Sequence, residues 1–356
     1  MRIVRRYLLI EFIRYFLIVL LTSTAIMMVA EFFDKADEFY SKGATFGIVA
    51  QYLLLLIPRF LVYSLPIASL LAVLITTGIA SKWNETLIVR ASGGSLKRLF
   101  LSFLVVGLLI TLLGFFLNEV VVPASTRKAS WIRNVKILKR SQRITYSERA
   151  LWMRGLDGSL IRIGDFVEDK DSVLNVSIFN FDPGFRLIRR IEAKRAEWVG
   201  NGWVFRDVIV YELNEGTTQR FRRLFSTTIE EPRIFREEMR RPEEMSFAEL
   251  YRYYSRLEKA GFRNTKYVIR LYEKLTYPII NFIMVLFGLS LALNTGRGGG
   301  IWSAGIGVLV IVLFWFVYTL SISLGNTGVI PPWSAPWIAP LLFGVAGSLL
   351  FVKIRG

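Results

Sequence analysis

Six apolar runs constrain this chain more than any other feature of its sequence. They fall at Tyr7–Phe33, Phe60–Ala80, Leu99–Val122, Tyr267–Leu293, Ile301–Leu324 and Trp333–Val352. A helix of about 20 apolar residues crosses a hydrocarbon core of roughly 30 Å, and each run is long enough to do so. The runs therefore predict an α-helical membrane protein with six spans. A further apolar stretch, Ile48–Ile57, stops at Pro58 and Arg59. That interruption predicts a kinked or interfacial entry helix ahead of the second span.

Orientation follows from the basic residues of the short loops. Arg2, Arg5 and Arg6 precede the first run, and Lys82, Arg90, Lys97 and Arg98 follow the second. Arg297 follows the fourth, and Lys353 and Arg355 close the chain. On the other side, Lys35 and Lys42 stand among Asp34, Asp37 and Glu38, and the loop Gly325–Pro332 carries no charge. Both termini are expected on the cytoplasmic side. A basic arm before an apolar run also suits a signal peptide. Here the apolar stretch continues from Tyr15 to Ala30 without a clean small-x-small cleavage site before Glu31, so an uncleaved signal anchor is expected.

The chain then reads as three parts. Residues 1–123 hold spans one to three with a cytoplasmic loop at 81–98, residues 124–266 form a periplasmic domain with a linker helix, and residues 267–356 hold spans four to six. Strand signals fill the middle part. Trp152–Gly155 and Ser159–Gly164 flank Leu156-Asp157-Gly158, which predicts a hairpin. Val173–Phe181 ends at Asp182-Pro183-Gly184, and Trp198 and Trp203 flank Gly200-Asn201-Gly202 ahead of a strand over Val204–Leu213. Short strands with regular turns suggest a β-sandwich or jelly roll. Ser246 with Glu249 forms a capping box for a helix whose apolar face is Phe247, Leu250, Tyr251, Tyr254 and Leu257, with Gly261 as its stop.

Composition removes most enzyme chemistry. There is no Cys and no His among 356 residues, which excludes thiol nucleophiles, disulfides, Ser-His-Asp triads and the usual zinc sites. No Gly-x-x-x-x-Gly-Lys-(Ser/Thr) loop occurs, as Gly93–Arg98 and Gly296–Gly300 both lack the pattern. No cofactor is expected, and any ATP is bound by a separate subunit. The Lys82–Lys97 loop can form a short helix with Trp83, Leu87 and Ile88 as an apolar face and Glu85 and Arg90 as polar positions. Such a helix suits contact with a partner, and equally an ordinary amphipathic loop.

Three spans, a β-domain and three spans resemble the LptF/LptG family of lipopolysaccharide export permeases. The motifs that carry the resemblance are Asn84-Glu85-Thr86-Leu87-Ile88-Val89-Arg90-Ala91-Ser92-Gly93-Gly94-Ser95, Ala193-Lys194-Arg195-Ala196-Glu197-Trp198 with Gly202-Trp203, and Ile330-Pro331-Pro332. The Glu31–Glu38 segment and the Pro-Pro loop look more like the LptG members than the LptF members. The resemblance implies a non-catalytic permease subunit in a Gram-negative inner membrane, which extracts lipopolysaccharide and passes it to a periplasmic bridge. It implies an LptF-like permease as heterodimer partner, an LptB-like ATPase dimer and an LptC-like bitopic jelly-roll protein. It also implies that Glu85, Trp83, Leu87 and Arg90 form an ATPase-coupling helix. Spans one and five would form lateral gates, and the β-domain would pair edge to edge with the next jelly roll.

Cations for lipid phosphates are sought at Lys35, Lys42 and Arg59. For Lys35 an ion pair or snorkelling stays open beside the phosphate contact, because Asp34, Asp37 and Glu38 surround it. Arg59 either lines a cavity mouth or marks the interface. On span five, Ser303, Gly305 and Gly307 allow close helix approach. Two other classes were weighed: a lipid-modifying enzyme using Asp34, Asp37, Glu38 or Glu119, and a scaffold without transport. A lipoprotein-release permease fits less well, since four spans with a domain after the first is its usual layout.

Overall fold

The computed structural model describes residues 2–92, 96–138, 143–145, 151–155, 157–167, 171–182, 184–229, 231–232, 242–259, 265–295 and 299–353. Leu156, Pro183, Gly93–Ser95, Gly261, Arg297 and Arg355, all used in the sequence reading, lie outside the described residues. The chain divides into two compact units, Met1–Arg133 with Pro242–Gly356, and Asn134–Arg241.

In the first unit, six helices are long and apolar enough to cross a membrane. Span one is Arg2–Asp34, span two Phe46–Lys82, span four Thr265–Thr295, span five Gly299–Thr327 and span six Ala335–Lys353. Span three begins as Leu96–Phe116, passes through a π-turn at Leu117–Val121 and continues as Val122–Trp131, with a second π-stretch at Ile132–Ile137. Span two has no separate entry segment. It is one 37-residue helix through both Pro58 and Pro66. Tyr52 and Leu56 before Pro58 and Phe60 and Val62 after it are all buried, so both halves are held by the same bundle. Packed neighbours are what let a spanning helix keep internal prolines.

Span two is the centre of this unit: 72% of its most apolar stretch is buried, against 11% for span one. One side of it supplies Leu65, Ala68, Ala72 and Val73 to a cluster with Phe12 and Phe16 of span one, Phe103 of span three and Leu289 of span four. Its other side supplies Leu70 and Leu74 to a cluster with Ile280 and Met284 of span four, Phe314 of span five and Phe343 of span six. Ring pairs close both clusters, Phe12 with Phe103 at 5.1 Å and Phe314 with Phe343 at 5.1 Å. Edge-to-face pairs of this kind add specificity beyond area burial.

The linker helix, Phe247–Lys259, forms as its capping box predicts. Glu249 accepts from the Ser246 backbone N–H at 2.9 Å, and Ser246 Oγ accepts from the Glu249 N–H at 3.2 Å. Glu119, in the π-turn of span three, accepts from the Phe247 N–H at 2.7 Å and so satisfies another free donor of the first turn. Leu250 and Tyr253 bury against Leu271 of span four. This helix and Val122–Trp131 thus fall in the unit of the spans, and the other compact unit is Asn134–Arg241.

The second unit is an antiparallel sheet of seven strands among the described residues: β1 Arg143–Thr145, β2 Leu151–Arg154, β3 Leu160–Val167, β4 Ser172–Phe181, β5 Leu187–Trp198, β6 Trp203–Glu212 and β7 Thr217–Ser226. From β3 to β7 each strand pairs with the next, while β1 and β2 share the other side of β3 in tandem. The expected hairpins are present. Gly155 N–H donates to the Ser159 carbonyl at 2.7 Å, and Trp198 pairs with Trp203 across Val199–Gly202, where Gly200 takes φ +91°. That left-handed backbone suits glycine. Ile161, Ile163, Phe166, Val173, Val176, Ala196, Trp203, Phe205 and Val208 form one core on one face.

Trp203 is fully buried and meets the Trp198 ring edge-on at 5.5 Å. Trp203→Ala is expected to cost about 3–5 kcal/mol locally. Limited proteolysis of the full chain in detergent should then cut within residues 134–241 while the spans stay protected.

Candidate functional site

Three regions of the membrane unit carry chemistry: the turn after span two, the loop after span one, and a cavity among the spans. At the first, span two ends at Lys82 and a short helix, Glu85–Ala91, follows almost at once. Asn84 makes that possible with φ 59°, a left-handed conformation that a short polar side chain tolerates. Trp83, Leu87 and Ile88 are 69%, 52% and 64% exposed, whereas Val89 packs into the cluster below spans one and two. The apolar face predicted from sequence is therefore turned outward. Glu85 is turned inward. Its carboxylate lies beside the Tyr7 hydroxyl of span one. Partial burial, together with the neighbouring Glu11 carboxylate, raises the Glu85 pKa, and the Tyr7 hydroxyl opposes the rise. The Arg90 side chain lies outside the described residues.

At the end of span one, Lys35 Nζ sits 2.6 Å from Asp34 Oδ2. A second short helix, Ala36–Ser41, follows, and Lys42 caps its end fully in the open. Arg133 makes two bonds to Glu38, at 3.0 and 2.7 Å, and Tyr52 donates to Glu31 at 2.7 Å. The first fastens the segment after span one to span three, and the second ties span one to span two. Of the carboxylates considered for an enzyme, Asp34, Glu38 and Glu119 each have such a partner.

The cavity, of about 410 Å³, lies among spans one to five and the returning segment at Pro242. Arg59 faces it from span two, about 35 Å along the helix from Lys82 at 1.5 Å per residue. Its guanidinium lies over the Tyr63 ring at 5.5 Å, and its Nε is buried without a hydrogen-bond partner. From span four come Arg270, Glu273, Lys274 and Tyr277, and from span five Trp315 and Tyr318. Glu273 is held by Arg270 at 2.7 Å and by the Tyr318 hydroxyl at 3.3 Å, while Glu243 stands 3.6 Å from Arg270. Sequence reasoning found Arg59 and missed the span-four cluster. The signal was present: Arg270, Glu273 and Lys274 fall within little more than one turn near the start of an apolar run, where ionisable residues are costly.

The small residues of span five separate by role. A Cβ on Gly307 would stand 2.5 Å from Leu71 and 2.9 Å from Leu74, so span five lies close on span two there. Gly305 has nothing within 4 Å of such a Cβ and is exposed, and Ser303 is half-buried.

Among the described residues, six helices long and apolar enough to cross a membrane, with a β-domain between the third and fourth, define a polytopic membrane protein. The sequence matches the family profile of the lipopolysaccharide export system permease LptF/LptG over residues 6–353, and the chain belongs to that family. It is 23% identical over 311 residues to the lipopolysaccharide export system permease protein LptG of Haemophilus influenzae, which covers 84% of this chain and 81% of that protein. The chain is therefore a multi-pass, non-catalytic permease component of lipopolysaccharide export.

Gly307→Leu is expected to destabilise the span-two to span-five packing by about 1–3 kcal/mol, as overpacking does. Gly305→Leu should leave the melting temperature of the purified chain unchanged. Thermal unfolding of both variants in detergent checks the contrast.

Proposed function

We propose that this chain is the LptG-type half of the exporter, and that an LptB-like ATPase docks on the outward face of the helix Glu85–Ala91. The observation that carries the proposal is the exposed trio of Trp83, in the turn before the helix, with Leu87 and Ile88 on it, while Val89 packs against the bundle. Apolar groups on a short helix next to a membrane are costly in water and favour a groove on a partner. Glu85 acts from the inner side: its carboxylate lies beside the Tyr7 hydroxyl, so a displacement of the docking helix is felt at span one. Arg90 is the charged residue left to meet the partner.

In this reading both termini and the docking helix are cytoplasmic, and the β-unit is periplasmic, as the basic loops favour. Spans one and five, with their long apolar exposed faces, meet an LptF-like partner and form lateral gates. Gly305 and Ser303 allow close approach of that partner, whereas Gly307 serves packing within the chain. The β-unit offers β7, an edge strand paired on one side among the described residues, for strand addition to an LptC-like or bridge jelly roll. Lys42, being open, and Arg59, facing the cavity, are better placed for lipopolysaccharide phosphates than Lys35, which must first leave Asp34.

Leu87→Asp with Ile88→Asp tests the docking face. Buried unpaired carboxylates would cost several kcal/mol at a dry contact, so copurification of the ATPase should be lost while the chain still inserts and pairs with its partner permease. Normal recovery of the ATPase with the double variant would remove the docking assignment.

A further inference from the structure

The two halves of span one are held by different forces. Leu8, Phe12, Phe16 and Leu20 bury its first half in the core shared with spans two, three and four. From Ala25 to Asp34 no residue is buried, although Met27 forms part of the cavity wall. Lipid chains replace apolar neighbours at little cost in a bilayer, so packing alone holds this outer part weakly. Directional bonds must supply the rest.

Those bonds gather where span one turns into the short helix Ala36–Ser41. The Lys35 N–H donates to the Glu31 carbonyl at 3.1 Å and the Phe39 N–H to the Lys35 carbonyl at 3.0 Å, so the short helix moves with the span. Phe39 is buried, with the rings of Phe32 and Tyr52 each 6.0 Å from its own. Lys35 bonds its neighbour Asp34 and adds no tie to another helix. Two polar ties to other helices remain, Tyr52 to Glu31 and Arg133 to Glu38. Glu31 and Tyr52 also lie within electrostatic reach of Arg133, which makes the two ties one cluster.

Arg133 stands on a fixed post. It follows Val122–Trp131, where Arg127 bonds Glu249 at 3.2 Å and Ser130 donates to Glu244 at 2.6 Å. It opens a π-stretch, a helix form frequent at functional positions. The guanidinium donates from Nε to one Glu38 oxygen at 3.0 Å and from a terminal nitrogen to the other at 2.7 Å. A two-point bond of this kind fixes angle as well as distance. The two side chains are only 19% and 34% exposed, so water and salt screen the pair less than an open surface pair.

We infer that Glu38 and Arg133 are positioning residues that form the latch of span one: the pair holds the outer end of the span against the post and parts when that end swings away. The buried first half of the span is the pivot, and the weakly packed outer part is the arm. Since Met27 belongs to the arm, the swing opens the cavity to the side. The latch deepens the reading of span one as a lateral gate, and its use in transport rests on that reading.

The test uses the full chain assembled with its partner permease and ATPase. The chain has no cysteine, so thiols introduced at exposed positions are the only ones it carries. Spin labels at Val29→Cys on span one and Phe116→Cys on span three report the distance between the two outer ends. The resting complex should show one short distance. Glu38→Gln and Arg133→Gln should each move population to a longer one, and the charge exchange Glu38→Arg with Arg133→Glu should restore the short one. A pair that only stabilised the fold would change the yield of the complex and leave the distance alone. A short distance unchanged in both single variants, or a charge exchange that restores nothing, overturns the latch. In a second arm, Glu38→Cys and Arg133→Cys are joined by a reducible bifunctional thiosulfonate linker. The joined complex should hydrolyse ATP yet release lipopolysaccharide about tenfold more slowly, and reductant should restore release. If the linker does not join the two positions in the resting complex, they do not meet and the latch is overturned, even where the single variants fail to assemble. Undiminished release from the joined complex, beside lengthened distances in the single variants, would keep the latch and remove span one as the gate.

Discussion

The packing of span two on both of its sides is the constraint on which the rest of the membrane unit depends. Leu65, Ala68 and Ala72 face spans one, three and four, while Leu70 and Leu74 face spans four, five and six. A helix apolar all round belongs in the middle of a bundle. Placing it there leaves spans one and five on its flanks with little to bury inside the chain. Only 11% of the apolar stretch of span one and 28% of that of span five are buried. In a bilayer such faces can meet lipid at no hydrophobic cost, so they are free to meet, and part from, a second subunit.

The same helix also joins the two ends of the unit. At its Lys82 end the turn and the short helix carry Trp83, Leu87 and Ile88 outward, with Glu85 beside Tyr7 of span one. Toward its other end Arg59 looks into the cavity, and Tyr52 holds Glu31 of span one. Spans one and two are therefore linked by a polar bond near that end and by packed side chains along their length. In the proposed docking, a push on the short helix is carried to the lipid side by this stiff element and its neighbour. This division suits a subunit that converts hydrolysis elsewhere into movement of a lipid.

Much of the architecture was legible because it depends on local signals. Six apolar runs gave six helices, Ser246 and Glu249 gave the linker helix, and glycine-rich turns gave the hairpins at 155–159 and 199–202. What sequence missed depends on partners far along the chain. Nothing near Glu119 announces that it caps a helix beginning 128 residues later, and nothing near Glu38 names Arg133. Pro58 with Arg59 looked like a break because a proline removes a backbone donor; packing on both sides kept the helix whole. β5 was not anticipated, since adjacent cations at Arg189-Arg190 and Lys194-Arg195 blur its period of two. At the sites, the outward face of the docking helix was readable from spacing. The inward turn of Glu85, the Asp34 partner of Lys35 and the span-four cluster around Lys274 were not.

The most direct measurement is ATP-driven release of lipopolysaccharide from proteoliposomes that contain this chain, its partner permease and the ATPase, captured on a soluble jelly-roll acceptor. The account predicts release that requires ATP and this chain together, and that stops when the chain is omitted although the ATPase still hydrolyses. An assembled, ATP-hydrolysing complex that releases no lipopolysaccharide, or releases as much without this chain, would contradict it.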